Sequence, residues 1–330
     1  MSLDLYAIGN ALVDSEYLVS EEFLVRHTLE KGCMTLIDGD RQRDLIDALN
    51  REFSCAKRAS GGSAANSVIA FSAFGGSAFY ACKVSDDDNG AFYLHDLQQA
   101  GVSAPAHARV PGGVTGTCVV MVTPDAERTM NTHLGITAEM SASELDLEQL
   151  EQARFLYIEG YLSTSDSARH AVATARQIAA KHGIRTALTF SDPAMVQYAR
   201  HGLQAMLADG VDILFCNESE AMLWAQTDHL DQALEVLHRH SPLVVVTCGS
   251  RGAVVSEAGK QIVIDAVPVK AVDTNGAGDA FAGAFLFGLS RDWSLEACGK
   301  LAARTAAQVV SCFGPRLANE NYQAILNGEA

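Results

Sequence analysis

The sequence of 330 residues is short of basic side chains, with 24 lysines and arginines against 40 aspartates and glutamates. The formal net charge of −16 argues against a nucleic-acid or anionic-membrane partner, because both favour a basic protein surface. An acidic balance does not exclude a nucleotide, since a few local donors and a metal ion suffice to hold its phosphates.

The chain also lacks an apolar run of membrane-spanning length and a basic start followed by such a run, so we expect no signal peptide and no membrane span. Its eight cysteines are scattered, with no CxxC pair. That pattern predicts reduced thiols in a cytoplasmic protein rather than a zinc site or a disulfide framework. His238 and His240 are spaced for one face of a strand, but a metal needs more ligands than this pair.

Two common nucleotide-binding motifs are missing. There is no GxxxxGK[ST] segment, so a Walker-type lysine loop does not hold the phosphates. No GxGxxG follows the first strand candidate, which argues against a nicotinamide dehydrogenase. Internal repeats, low-complexity tracts and long linkers are also absent. The length suits one large domain or two modest ones, and 48% apolar with 19% charged residues suits a globular enzyme.

Apolar strand candidates alternate with helical patterns along most of the chain. This order predicts a mostly parallel sheet with helices on both faces. The strand candidates are residues 3–9, 77–85, 155–160, 184–190, 211–217 and 243–249. The helix candidates are residues 64–73, 89–100 and 167–183, and the last of these ends in a glycine cap.

Two regions break this alternation. Residues 115–123 and 127–134 flank a turn-like PDA and predict a β-hairpin, and residues 15–38 contain the extended-looking SEYLVS and CMTLID. We therefore expect a small β lid, residues 15–38 and 111–135, on a large α/β domain. That domain takes residues 1–14, 39–110 and 136–330. A lid over a site is a common means of excluding water from a transfer reaction.

The segment DTNGAGDAFAGAF (273–285) is a glycine-rich turn that runs into an apolar helix pattern. The N–H groups of Gly276, Ala277 and Gly278 would lie at the first turn of that helix and form an anion site. Asp279 would accept the proton of an alcohol that attacks a bound phosphate, and the helix terminus is expected to favour its ionised form. Alternatively, the glycines allow tight packing and Asp279 is a helix cap.

This segment closely resembles the C-terminal signature of the ribokinase/PfkB carbohydrate kinase family. A second segment, ASGGSAANSVIAFSAFGG (59–76), resembles the N-terminal glycine signature of the same family. The two lie in the expected order towards opposite ends of the chain. The resemblance implies a ribokinase-like three-layer α/β/α domain with a β-sheet lid, ATP as the phosphoryl donor, and Mg²⁺.

On the nucleotide side, NESE (217–220) fits the Asn-x-x-Glu pattern of the family. The match implies that Asn217 and Glu220 arrange Mg²⁺ and its waters around the phosphates, with Glu220 acting through water. The same spacing fits an ordinary helix cap. A monovalent cation such as K⁺ near Asp273 and Asn275 is a further implication that the sequence leaves open.

The segment VTCGSRGA (247–254) resembles the strand and turn that lie along the ATP phosphates in the family. Thr247, Gly249 and Gly252 are the matching positions. A plain hairpin turn is the alternative.

On the acceptor side, GNALVD (9–14) matches the first substrate loop of the family. Asp14 would accept hydrogen bonds from two neighbouring sugar hydroxyls, or be a turn acid. Gly61 and Gly62 would let the sugar approach the backbone. Asn66 would offer a donor and an acceptor, or be a helix amide facing solvent.

Arg128, in the predicted lid hairpin, would neutralise the transferring phosphoryl group, or be a solvated strand residue. Leu12 and Met34 would wall an apolar slot for a purine, or be ordinary packing residues.

Several segments resemble the adenosine-kinase-like branch of the family: GNALVD, DTNGAGD with its Asn275, TGTC (115–118) and YIEGYLS (157–163). We therefore expect a kinase that phosphorylates the primary hydroxyl of a nucleoside, with adenosine favoured. A sugar kinase of the ribokinase or fructokinase type is the first alternative, and a catalytically silent nucleotide-binding protein is the second. The sequence leaves open whether the protein is a monomer or a homodimer.

Overall fold

A computed structural model describes residues 3–125 and 127–328. Its strands are β1 (Leu3–Ile8), β2 (Leu12–Leu18), β3 (Met34–Leu36), β4 (Cys55–Gly61), β5 (Ala78–Ala81), β6 (Val84–Ser85), β7 (Val102–Ser103), β8 (Arg109–Val110), β9 (Gly116–Val122), β10 (Arg128–His133), β11 (Ala153–Ile158), β12 (Arg185–Thr189), β13 (Ile213–Asn217), β14 (Leu243–Thr247), β15 (Ala253–Glu257) and β16 (Lys260–Ile264). Its α-helices are α1 (Glu21–Arg26), α2 (Gly39–Glu52), α3 (Ser63–Ala73), α4 (Asp88–Gln99), α5 (Leu147–Glu151), α6 (Asp166–His182), α7 (Pro193–Tyr198), α8 (Arg200–Leu207), α9 (Glu218–Ala225), α10 (Leu230–Leu237), α11 (Ala277–Ser290), α12 (Leu295–Val310) and α13 (Asn319–Asn327).

The large sheet has the strand order β16-β15-β14-β13-β12-β11-β1-β5-β7 among the described residues. Its strands run parallel except at one edge, where β14, β15 and β16 pair antiparallel. Alternate side chains of β1 enter different cores. Leu5 and Ala7 pack with α3, α11 and α12, whereas Tyr6 and Ile8 pack with α6 and α8. The sheet therefore lies between two helical layers, which confirms the predicted three-layer α/β/α fold.

The small sheet has the order β3-β10-β9-β2-β4 in the described part of the chain. The predicted hairpin is confirmed, since β9 and β10 pair antiparallel, with Thr117 opposite His133 and Val122 opposite Arg128. Ala126, in its PDA turn, lies outside the described residues. One face of this sheet packs against α1 and α2 through a core that includes Phe23 and Leu49.

The small sheet differs from the predicted lid in its membership. β4 belongs to it through pairing with β2, although residues 55–61 fall in the range assigned to the large domain. β4 ends at Gly61, inside the glycine signature. In its first half, apolar and polar residues do not alternate regularly enough to predict a strand. The division of the chain into a large domain and a lid stays a prediction.

The strand predicted over residues 77–85 is wrong as a single element. It divides into β5, which pairs with β1 and β7, and β6, which pairs with β8 in a separate two-stranded sheet. The antiparallel edge strands β15 and β16 were not predicted. No helix within residues 3–125 and 127–328 has both the length and the apolar character needed to cross a membrane.

Candidate active site

A cleft of about 340 Å³ lies between the carboxyl ends of the parallel strands and the open face of the small sheet. This edge is where ligands bind in open α/β sheets, and the volume suits a small molecule. The predicted site residues that line it are Leu12, Asp14, Met34, Gly62, Asn66, Arg128, Asn217, Glu220, Thr247, Asn275, Gly276, Ala277, Gly278 and Asp279. The predicted residues Gly61, Gly249, Gly252 and Asp273 do not line it.

The N-terminus of α11 opens into this cleft. Gly276 precedes the helix with φ 70°, and a Cβ there would lie 2.5 Å from the carbonyl oxygen of Pro315, so both the backbone and the space require glycine. A Cβ on Gly278 would meet nothing within 4 Å. The first-turn N–H groups and the helix dipole therefore face open space, which suits a phosphate.

Asp279 lies in the first turn of α11 and faces α3 across the cleft. Ser63 Oγ donates a hydrogen bond of 2.6 Å to its Oδ1, and Asn66 Nδ2 donates one of 3.1 Å to its Oδ2. The helix is preceded by Gly276 without any side-chain cap, so Asp279 is not the capping residue. The carboxylate is held at the cleft surface instead.

Burial raises the pKa of Asp279 to about 6, against the lowering effects of Ser63, Asn66, Arg128 and Arg316. Desolvation is therefore the largest effect on this pKa, and the expectation that the helix terminus favours the ionised form stays a prediction. The group is still mostly ionised at neutral pH and can accept a proton there.

Asp14, on β2, lines the cleft. Burial raises its pKa to about 7, although the charge of Arg316 opposes the change. A Cβ on Gly61 would lie 2.1 Å from the Asp14 carboxyl group, so Gly61 makes room for this acid. Gly62, with φ 103°, would bring a Cβ within 2.3 Å of the Asn10 carbonyl oxygen. Its conformation therefore determines how α3 begins.

Asn66 is buried in α3 and does not face solvent. Its Nδ2 donates to Asp279, and its Oδ1 accepts a hydrogen bond of 3.0 Å from Arg316 Nε. The side-chain amide therefore lies between a carboxylate and a guanidinium group.

Glu159, at the end of β11, is a cleft residue whose role the sequence analysis missed. Its Oε1 accepts from the N–H of Asn10 at 3.1 Å, and its Oε2 accepts from the N–H of Ala64 at 2.9 Å. It thus ties the loop after β1 to the start of α3. Burial raises its pKa to about 7 despite these two donors. The only sequence indication was its position in YIEGYLS.

Asn217 and Glu220 form a capping box at the start of α9. Asn217 Oδ1 accepts from the N–H of Glu220, and the Glu220 carboxylate accepts from the backbone and side-chain nitrogens of Asn217. The helix-cap alternative is therefore present. Burial raises the pKa of Glu220 to about 8, and Asp192 and Asp279 add to the rise. A divalent cation would favour the charged carboxylate, so the residues fit Mg²⁺.

Arg128, on β10, lines the cleft and forms an ion pair with Asp273, with 3.2 Å between Nε and Oδ1. Asp273 is fully buried, and its carboxylate also accepts from the N–H groups of Asn275 and Gly314. A monovalent cation at Asp273 stays a prediction, and it would compete with Arg128 for the carboxylate.

The turn after β14 is a hairpin, as the alternative interpretation proposed. Cys248 N donates to the Gly252 carbonyl oxygen at 2.7 Å, and β14 pairs antiparallel with β15. Gly249 and Gly252 have φ 57° and 89°, so they shape the turn. Thr247, at the end of β14, reaches the cleft.

Apolar side chains of the small sheet and the chain beside it form one wall of the cleft. They are Leu12, Met34, Leu36, Met130 and Leu134. Tyr161 and Met195 lie in the same cleft. The cleft therefore combines a polar floor at Asp279 and Asn66 with an apolar slot.

Comparison with known proteins agrees with this architecture. The model of the pfkB family carbohydrate kinase matches residues 33–321. The crystal structure of adenosine kinase from Sinorhizobium meliloti superposes with a TM-score of 0.92 at 35% identity, covering 99% of this chain and 100% of that one. A probable sugar kinase from Rhizobium etli CFN 42 superposes with a TM-score of 0.90 at 33% identity over the whole of both chains. The chain is 28% identical to adenosine kinase from Saccharomyces cerevisiae over 340 aligned positions, covering 97% of this chain and 98% of that protein.

Proposed function

This chain belongs to the pfkB family of carbohydrate kinases, and from that membership we propose that it transfers the γ-phosphoryl group of ATP to the primary hydroxyl group of adenosine. As a family member it is an ATP-dependent phosphotransferase that acts on a hydroxyl group of a nucleoside or sugar. The adenosine kinases named above support the choice of nucleoside. We further propose that the protein acts in the cytoplasm.

The observation that carries the proposal is the placement of Asp279. Its carboxylate lies at the cleft surface between two donors, at the N-terminus of α11 and in the same cleft as Asp14. The start of α11 therefore offers both a proton acceptor and a set of backbone N–H groups for the phosphate.

The proposed reaction follows from these positions. Asp14 and Asn66 hold the ribose hydroxyls. Asp279 accepts the proton of the primary hydroxyl group while the oxygen of that hydroxyl forms a bond to the γ-phosphorus. The bond from that phosphorus to the β–γ bridging oxygen breaks, which releases ADP. The first turn of α11 and Arg128 stabilise the negative charge on the transferring group.

Mg²⁺, when bound, neutralises charge on the phosphates, and Glu220 with Asn217 would hold it through water. Closure of the small sheet over the acceptor would exclude water, which competes as an acceptor.

The apolar slot favours a nucleoside over a free sugar. A purine buries a large apolar face, and Leu12, Met34 and Met130 offer a matching wall. A free pentose or hexose would leave that wall exposed to water. The similarity to the Rhizobium etli probable sugar kinase keeps a sugar acceptor as the second candidate.

The test is ADP release from Mg·ATP with adenosine, ribose, fructose or no acceptor, and the product is identified by phosphorus NMR. We expect adenosine to give the highest kcat/KM and a 5′-monophosphate product. A higher kcat/KM with ribose or fructose would support the sugar kinase. Binding of ADP and adenosine without turnover of any acceptor would contradict the kinase and support a nucleotide-binding protein.

A further inference from the structure

Arg316 lies behind the cleft, in the segment between α12 and α13, with a side chain 11% exposed. Its guanidinium group donates three hydrogen bonds of 3.0 Å: Nε to Asn66 Oδ1, Nη1 to Asp96 Oδ2, and Nη2 to Ser60 Oγ. The catalytic sequence signatures do not include this arginine.

We propose that Arg316 is a positioning residue for phosphoryl transfer, which orients the side-chain amide of Asn66 so that its NH₂ group faces Asp279. The inference rests on the proposed function, because it assigns Asn66 and Asp279 to the acceptor site. It adds a residue that acts through Asn66 and touches neither the acceptor nor ATP.

The chemistry of the neighbours allows one orientation of the amide. A guanidinium group only donates hydrogen bonds, so the atom of Asn66 that faces Arg316 must be the oxygen. An ionised carboxylate only accepts, so the atom that faces Asp279 must be the nitrogen. A flipped amide would place its NH₂ group against the guanidinium N–H of Arg316, donor against donor. It would also place its oxygen against the carboxylate of Asp279, acceptor against acceptor. Without Arg316, one of these two constraints is lost.

Arg316 is itself held on the side away from Asn66. Asp96, on α4, accepts from Arg316 and from both the N–H and the hydroxyl of Ser60, at the end of β4. The guanidinium plane is therefore fixed by α4 and β4 together, and its Nε points at Asn66. Buried, multiply bonded donors of this kind keep a partner within a narrow range of positions.

Arg316 also acts by its charge, which opposes the rise that burial causes in the pKa values of Asp14 and Asp279. This effect does not pass through Asn66. The experiment must therefore separate orientation from charge. It does so when the kinetics of each variant are compared on the alkaline plateau of its own pH profile, where both acids are ionised.

The test is a double-mutant cycle of Arg316→Met and Asn66→Ala. We expect Arg316→Met to lower kcat/KM roughly ten- to a hundredfold in the wild-type background, with most of the loss in kcat, since small displacements in a site cost that much. In the Asn66→Ala background we expect a loss of less than about threefold, since the group that Arg316 positions is gone. Equal losses in both backgrounds would overturn the proposal, as would an Arg316→Met variant with unchanged kinetics.

Two further variants guard against a purely structural effect. Asp96→Asn weakens the ion pair that holds Arg316 and should give a smaller loss of kcat/KM, which also disappears in the Asn66→Ala background. If Arg316→Met does not fold, Asp96→Asn replaces it in the double-mutant cycle. Arg176→Met is the matched control, because Arg176 donates to the carbonyl oxygens of Met206 and Gly210 away from the cleft. It should lower Tm and leave kcat/KM unchanged. A kinetic loss equal to that of Arg316→Met would contradict the proposal.

The cycle uses whichever acceptor the wild-type enzyme phosphorylates fastest. A preference for a sugar would therefore correct the proposed acceptor and leave the test of Arg316 intact.

Discussion

The properties of Asp279, the proposed base, come from its burial and from three neighbours. Burial raises its pKa, the Ser63 hydroxyl and the Asn66 amide oppose the rise, and the α11 terminus receives the phosphate beside it. A group with a pKa of about 6 is ionised at neutral pH and still basic enough to take a proton in the transition state.

Replacing the carboxylate by an amide removes the proton acceptor and keeps the shape. We expect Asp279→Asn to lower kcat by roughly 10²- to 10⁴-fold, the usual range for a general base. KM for the acceptor and the Kd for ATP should change much less. Steady-state kinetics and calorimetry of ATP binding measure these quantities. A rate within tenfold of wild type would rule out this role.

The acid side of the pH profile should report the same group. Because Asp279 must be ionised to accept a proton, kcat/KM should be lost as pH falls through an apparent pKa near 6 to 7, with the titration of Asp14 contributing. Ser63→Ala removes a donor to the ionised form, which raises the pKa of Asp279 further. Its kcat/KM should therefore fall roughly three- to tenfold more at pH 6 than at pH 8.

Ser72→Ala, near the other end of α3, is the matched control for Ser63→Ala and should keep the wild-type profile. An acid limb that does not move in Ser63→Ala would mean that another group controls it.

The start of α3 shows how a helix places a site. Gly62 has φ 103° and ψ 137°, a conformation that is essentially confined to glycine, and the chain folds back there over the Asn10 carbonyl group. The next residue, Ser63, is thereby placed against Asp279. Gly62 of the glycine signature thus sets the direction in which the first turn of α3 begins.

A pair of alanine variants tests this reading. Gly62 and Gly75 both have a positive φ, 103° and 97°, but a Cβ on Gly75 meets nothing within 4 Å. We expect Gly75→Ala to cost about 1–3 kcal/mol of unfolding free energy from the backbone alone and to leave kcat/KM unchanged. Gly62→Ala should cost more, because the Cβ also displaces Asn10, and should lower kcat/KM. Urea unfolding and steady-state kinetics compare them. Equal effects of the two variants would show that α3 starts correctly without Gly62.

The same elements show what the sequence could and could not reveal. Strands such as β11 and β13 were found because each is a short apolar run ended by a polar or glycine residue, and Asp279 was found because it stands inside a glycine signature. The sequence indicated no role for Glu159, because its partners are backbone N–H groups, which no sequence motif identifies. Arg316 carries no motif, and its contact with Asn66 joins positions 250 residues apart. Such contacts exist only once the helices have packed.

The two sheets meet at the cleft, and an ion pair connects the small sheet to the segment before α11. Arg128 comes from the small sheet, whereas Asp273 precedes α11 and is fully buried. The arginine is thus kept at the cleft by a buried carboxylate outside the small sheet, close to where the transferring phosphate is proposed to lie. A structural role and a role in charge stabilisation therefore fall on the same side chain, and single variants cannot separate them.

A double variant can separate the two roles of Arg128. Arg128→Met should destabilise the fold by about 3–5 kcal/mol, because it leaves the buried Asp273 carboxylate without its cation, and should lower kcat roughly 10²- to 10³-fold. Adding Asp273→Asn removes the uncompensated charge, so part of the unfolding free energy should return while kcat stays low; the amide keeps only one of the two oxygens that accept from Asn275 and Gly314. Denaturant unfolding and kcat are measured on the wild type, on Arg128→Met and on the double variant. If activity returned together with stability, Arg128 would serve only to hold the small sheet against the segment before α11, and the charge of the phosphoryl group would have to be met by the α11 terminus and Mg²⁺ alone.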